Sequence, residues 1–76
     1  MKGLALCSSE KLLIKLAQDV RYYVYRRKCR REDAVSVLVK IGFTTYDAES
    51  YMWAKTKYQR DCIEDDYIKA MRRQYV

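Results

Sequence analysis

The chain has 76 residues and a formal net charge of +6, with no histidine, no proline, two glycines and three cysteines. Such a length makes one small domain, which buries only about 60% of the surface its unfolded form exposes; half of the residues are apolar, too many for a disordered tail. With no histidine and no C-x-x-C pair among Cys7, Cys29 and Cys62, the chain lacks both an ordinary zinc site and a disulfide framework.

No apolar run reaches the length of a membrane span. Leu4-Ala5-Leu6-Cys7 resembles a lipoprotein box only superficially: the run is short, and Leu6 is bulky where a small residue is wanted. Reduced thiols, no membrane and a cytoplasmic location, which includes the cytoplasm of a host cell, are expected. The lack of proline and scarcity of glycine predict an all-α fold. We expect a single domain, a compact bundle of four helices at about 9–28, 33–41, 45–60 and 62–75, with 1–7 as a loose or edge-docked tail.

In chain order, Ser8 or Ser9 can cap the first helix, with Glu10 in its first turn. Leu12, Leu13, Leu16, Val20, Tyr23 and Val24 then share a face. The helix should continue to about Lys28. Arg27 falls in the apolar stripe, so the helix either frays there or Arg27 lays its stem along the core.

The stretch from Arg21 to Arg31, R-Y-Y-V-Y-R-R-K-C-R-R, holds six cations, three tyrosines and no acid. Compensating a helix dipole needs one or two cations, not six. Guanidinium groups match phosphate oxygens in a bidentate way, and tyrosines beside them can stack on bases. Arg21, Tyr22, Tyr25, Arg26, Arg27, Lys28, Arg30 and Arg31 are therefore candidate contacts to nucleic acid or to an acidic protein surface.

Glu32 and Asp33 open the second helix at its positive end. Ala34, Val37, Leu38 and Ile41 line one face of it. Gly42 can turn left-handed and end that helix, and Thr44 can cap the next, with Asp47 at its N3 position. Phe43 and Ala48 are placed as a hydrophobic staple. Ala48, Tyr51, Met52 and Lys55 continue on one face of a third helix, which should run to about Arg60. A break near Arg60-Asp61 is favoured, because one helix of some 30 residues is long for a globular domain.

The pattern Ile41-Gly42-Phe43, a cap at Thr44, Ala48, then Tyr51-Met52 resembles the ubiquitin-associated (UBA-like) three-helix module. That fold class also includes the C-terminal domain of the Holliday-junction subunit RuvA and the N-terminal domain of elongation factor Ts. The resemblance covers residues 33–53 and implies a recognition surface at the corner, where ubiquitin-binding members carry Met-Gly-Phe and this chain has Ile41, Gly42 and Phe43. Family members have a polar, Gly- or Asn-bearing loop before the third helix; this chain has no glycine after Gly42.

Lys55, Lys57 and Arg60 form a second basic patch before the acidic Asp61, Glu64, Asp65 and Asp66. Ile63, Tyr67 and Ala70 or Met71 continue an apolar face toward the C-terminus. No Gly-rich phosphate loop, nucleophile elbow or pair of metal carboxylates on separate helices is present, and adjacent acids such as Asp65 and Asp66 point apart on a helix. A non-enzymatic protein without a cofactor is expected. The leading reading is a small basic binding protein that contacts nucleic acid through an Arg/Tyr-rich helix end, supported by Lys55, Lys57 and Arg60. The alternative is a protein-interaction module or small inhibitor using the corner and exposed tyrosines, of the kind common in phages and mobile elements. A homodimer is compatible with so small a core.

Overall fold

The computed structural model describes residues 5–74. Four helices follow one another: α1 (Ser8–Tyr25), α2 (Arg31–Lys40), α3 (Thr45–Trp53) and α4 (Lys57–Gln74), with no strand among the described residues. Helix α2 packs against α1 and α3, and α3 packs against α4. The all-α bundle is as expected. Among the described residues no helix is long and apolar enough to cross a membrane.

Two helix ends are built alike. At the end of α2 the Gly42 N–H donates to the Val39 carbonyl and the Phe43 N–H to the Leu38 carbonyl, both at 3.0 Å, with Gly42 at φ +117°. At the end of α1 the Arg27 N–H donates to Val24 at 3.0 Å and the Lys28 N–H to Tyr23 at 2.8 Å, with Arg27 at φ +60°. Both are Schellman caps, which use a left-handed residue to satisfy the last carbonyls. Helix α1 thus stops at Tyr25 instead of running to Lys28. Arg27 neither frays the helix nor lies on the core; it turns outward and stays exposed, which spares its guanidinium from burial.

The helix starts differ from expectation in two places. Cys7, not Ser8 or Ser9, occupies the N-cap of α1, and Glu10 accepts a hydrogen bond from the Cys7 N–H at 3.1 Å. Helix α3 ends at Trp53, well before Arg60, because Thr56-Lys57-Tyr58-Gln59 is a capping box. The Gln59 N–H donates to Thr56 Oγ1 at 3.1 Å, while Gln59 Oε1 accepts from the backbone of Lys55 and Thr56 at 2.8 and 3.2 Å. Two good hydrogen-bond sets at Lys55–Gln59 outweigh the weak box at Asp61-Cys62-Ile63-Glu64. Lys55 consequently lies beyond α3, exposed, and not on its apolar face. At the corner, the Asp47 N–H donates to Thr44 Oγ1 at 3.0 Å, the cap expected there.

The core takes only part of the α1 face expected, and adds Ile14 and Ala17 to Leu13, Val20 and Val24. Ile14, Ala17 and Val20 are buried with Leu13 and Val24 beside them, whereas Leu12, Leu16 and Tyr23 are 68%, 40% and 49% exposed. Against that stripe lie Ala34 and Leu38 of α2, Ala48, Tyr51 and Met52 of α3, and Tyr67 and Ile68 of α4. Phe43 stands at the centre. It stacks on Tyr67 with ring centroids 4.1 Å apart and tilts against Tyr51 at 5.7 Å.

Polar ties close the bundle at one end and across its middle. Arg72 grips Glu10 bidentately, Nε to Oε2 at 2.8 Å and Nη2 to Oε1 at 2.7 Å, joining the end of α4 to the start of α1. The Arg72 hydrogen bond, with the Cys7 N–H, lowers the Glu10 pKa to about 2. Arg72 Nη2 also donates to the Ala5 carbonyl at 2.8 Å, and Leu6 packs on the core, so Ala5 to Cys7 is docked to the bundle edge. The rest of the expected tail, 1–4, and the last expected residue of the fourth helix, Tyr75, lie outside the described residues. In the middle, the Tyr51 hydroxyl donates to Glu64 Oε2 at 2.6 Å, and Gln18 donates to the same oxygen at 3.3 Å. Burial first, then the Glu64 carboxylate, pushes the Tyr51 pKa well above the ordinary phenol value.

Candidate nucleic-acid interface

The cap at Arg27 organises the basic stretch. No cation sits in the last turn of α1; Arg26, Arg27, Lys28 and Arg30 all lie in the turn between α1 and α2, and all are exposed. Arg26, Arg27 and Lys28 stand at the negative pole of α1, but four exposed cations are more than dipole compensation needs. Arg26 Nη1 donates to the Tyr22 hydroxyl at 2.8 Å, one helical turn back, and Arg30 pairs with Asp33 at 3.3 Å. Both of those contacts are solvent-exposed, so they hold the guanidinium groups only weakly. Tyr22 and Tyr25 are 51% and 78% exposed.

Two arginines of the stretch reach partners on or just beyond α3. Arg21 Nη2 donates to the Ala54 carbonyl at 2.8 Å and Nε to the Tyr51 carbonyl at 3.3 Å, so it satisfies the orphan acceptors at the end of α3. Desolvation, then the nearby charge of Arg60, lowers its pKa from the ordinary arginine value. Arg31 lies over the Trp53 ring, 3.9 Å from its centroid, a cation–π contact between α2 and α3. Sequence reasoning missed Trp53. The apolar face Ala48, Tyr51 and Met52 leaves it off that face, and a lone tryptophan off the apolar face of a short helix, just before Lys55 and Lys57, was the available signal.

A cleft of about 260 Å³ between the end of α1, the start of α2 and α3 is lined by Arg21, Val24, Tyr25, Arg27, Arg31 and Met52. It holds three guanidinium-bearing side chains and no acid. Lys28 and Arg30 line the adjoining surface. The second basic patch divides. Arg60 is close enough to Arg21 for its charge to be felt there, and Lys55 follows the Ala54 carbonyl that Arg21 grips, so both border the first patch. Lys57 instead pairs with Asp61 at 3.0 Å along α4.

The alternative corner is mostly internal. Phe43 is only 3% exposed, Ile41 is half-buried with its carbonyl accepting from the Tyr67 hydroxyl at 2.6 Å, and Gly42 alone is exposed. Among the described residues no group of three or more acidic, cysteine or histidine side chains could hold a metal ion. No protein-family model matches the chain, and neither the characterised proteins nor the solved structures compared with it are similar.

Proposed function

We propose that the protein binds nucleic acid without sequence preference, through the turn between α1 and α2. The supporting observation is the acid-free cleft of Arg21, Arg27 and Arg31 with Tyr25 at its edge, flanked by the exposed Arg26, Lys28 and Arg30. Arg21 and Arg31, held by carbonyls and by Trp53, are preorganised and lend the cleft fixed charge; the exposed cations reach phosphates. Tyr22 and Tyr25 supply ring faces for unpaired bases. A buried Phe43 makes the corner a less suitable anchor for a protein partner.

Arg26, Lys28 and Arg30 can be replaced together by glutamine, since none is buried and their contacts are exposed. Wild-type affinity for a DNA duplex should fall steeply between about 50 and 200 mM salt, the range where phosphate contacts dominate. The triple variant should show a log–log salt slope shallower by about 2–3 on duplex. Tyr25→Ala should weaken binding to a single strand more than to a duplex. No binding by wild type near about 50 mM salt refutes the proposal.

A further inference from the structure

The opposite chemistry lies between α3 and α4. A groove of about 480 Å³ is walled by Tyr46 and Trp53 of α3 and Tyr58 of α4, with Asp47 and Asp66 also lining it and no lysine or arginine. Helical spacing explains the arrangement. Tyr46, Ser50 and Trp53 recur at i, i+4 and i+7 on the side of α3 away from Ala48, Tyr51 and Met52, and Tyr58, Cys62 and Asp66 recur at i, i+4 and i+8 on α4. The three rings are 78%, 63% and 69% exposed. Three large aromatics left in water around one groove need a reason, since single exposed apolar residues are ordinary but clustered ones mark contact sites.

We infer that this groove is a docking site for an arginine-bearing segment of a protein partner. The charge decides the class. On a chain of net charge +6 this groove has only carboxylates, and among the described residues neither Asp47 nor Asp66 forms an ion pair. Phosphates are repelled there, and a neutral apolar ligand brings the two carboxylates no counter-charge. A guanidinium satisfies both requirements: it pairs with carboxylate and stacks on rings. The Trp53 ring already takes a guanidinium 3.9 Å from its centroid, that of Arg31, so its electronics suit the same contact. The inference is carried by Tyr46, Tyr58, Asp47 and Asp66, none of which the nucleic-acid proposal uses, while Trp53, which also holds Arg31, stands between the two sites.

Trp53 is the only tryptophan and reports on the groove directly. The probe is a blocked hexapeptide of four arginines and two alanines, compared with the same peptide carrying citrulline at each arginine. The arginine peptide should change Trp53 emission saturably, with a dissociation constant in the micromolar range, about 10–500 µM at low salt; the citrulline peptide should not. Asp47→Asn with Asp66→Asn should weaken binding about tenfold or more, and Tyr58→Ala alone should also weaken it. Each variant should keep the helical circular dichroism of wild type. Equal response to citrulline, or full affinity in the double asparagine variant, overturns the inference. Sedimentation that shows self-association abolished by the asparagine variant assigns the groove to a second copy and overturns it too. Loss of DNA affinity on Tyr58→Ala places the groove in the nucleic-acid surface and likewise overturns the inference.

Discussion

Gly42→Val tests the corner on which the bundle turns. Two penalties act together. The backbone there is at φ +117°, outside the left-handed well that even asparagine tolerates, and an L side chain resists it by about 1–2 kcal/mol. A Cβ at this position would also stand 3.2 Å from Tyr67 Cε1, and Tyr67 has little freedom to retreat. Its ring stacks on Phe43 at 4.1 Å and its hydroxyl donates to the Ile41 carbonyl at 2.6 Å. Overpacking of this kind costs about 1–3 kcal/mol. The sum, about 2–5 kcal/mol, is a large part of the 4–11 kcal/mol or so available to a domain this size. By thermal melting followed by circular dichroism, the midpoint should fall by roughly 10–30 °C. Gly42→Ala should lose less, since it adds one methyl group and no branching. A valine variant melting with wild type would refute both the left-handed cap and the fixed position of Tyr67.

The second Schellman cap makes the opposite prediction. Arg27→Gly removes a left-handed strain at φ +60° and should raise stability by about 0.5–1 kcal/mol in urea denaturation, while weakening nucleic-acid affinity because a charge of the cleft is lost. Phe43→Ala should cost about 3–5 kcal/mol, because it removes the ring between Tyr51 and Tyr67; an unchanged melt with lost partner binding would return Phe43 to a surface role. Glu10 has its pKa lowered from 4.5 to about 2, so its contribution is present above the ordinary carboxylate range and is lost as pH falls from 4.5 toward 2. Glu10→Gln should therefore flatten that part of the stability–pH curve, measured by melts between those values, and an unchanged acid limb would contradict the Arg72 grip.

Local chemistry specified much of this protein without reference to the fold. The scarcity of glycine and proline made it helical, and Gly42, Thr44 and Asp47 dictated the corner, because caps are satisfied by residues a few positions apart. The Thr56–Gln59 box was equally local, yet it was hidden by the apparent continuity of Lys55, Lys57 and Arg60 with the preceding helix. The exposed cations were legible as charge, but their partners were not. Arg21 reaches a carbonyl 33 residues away and Glu10 an arginine 62 residues away, separations that no periodicity encodes.

The choice of core stripe was likewise tertiary. On α1, Leu13, Val20 and Val24 meet the core as their shared face implies, but Leu12, Leu16 and Tyr23 do not and Ile14 and Ala17 do, a distinction that the hydrophobic pattern cannot make. Packing could: Ala17, Ala34 and Ala48 are all fully buried, and small side chains let helices approach closely enough to close the core around Phe43. Leu12, Leu16 and Tyr23 lie on the sides of α1 turned away from that contact and stay exposed.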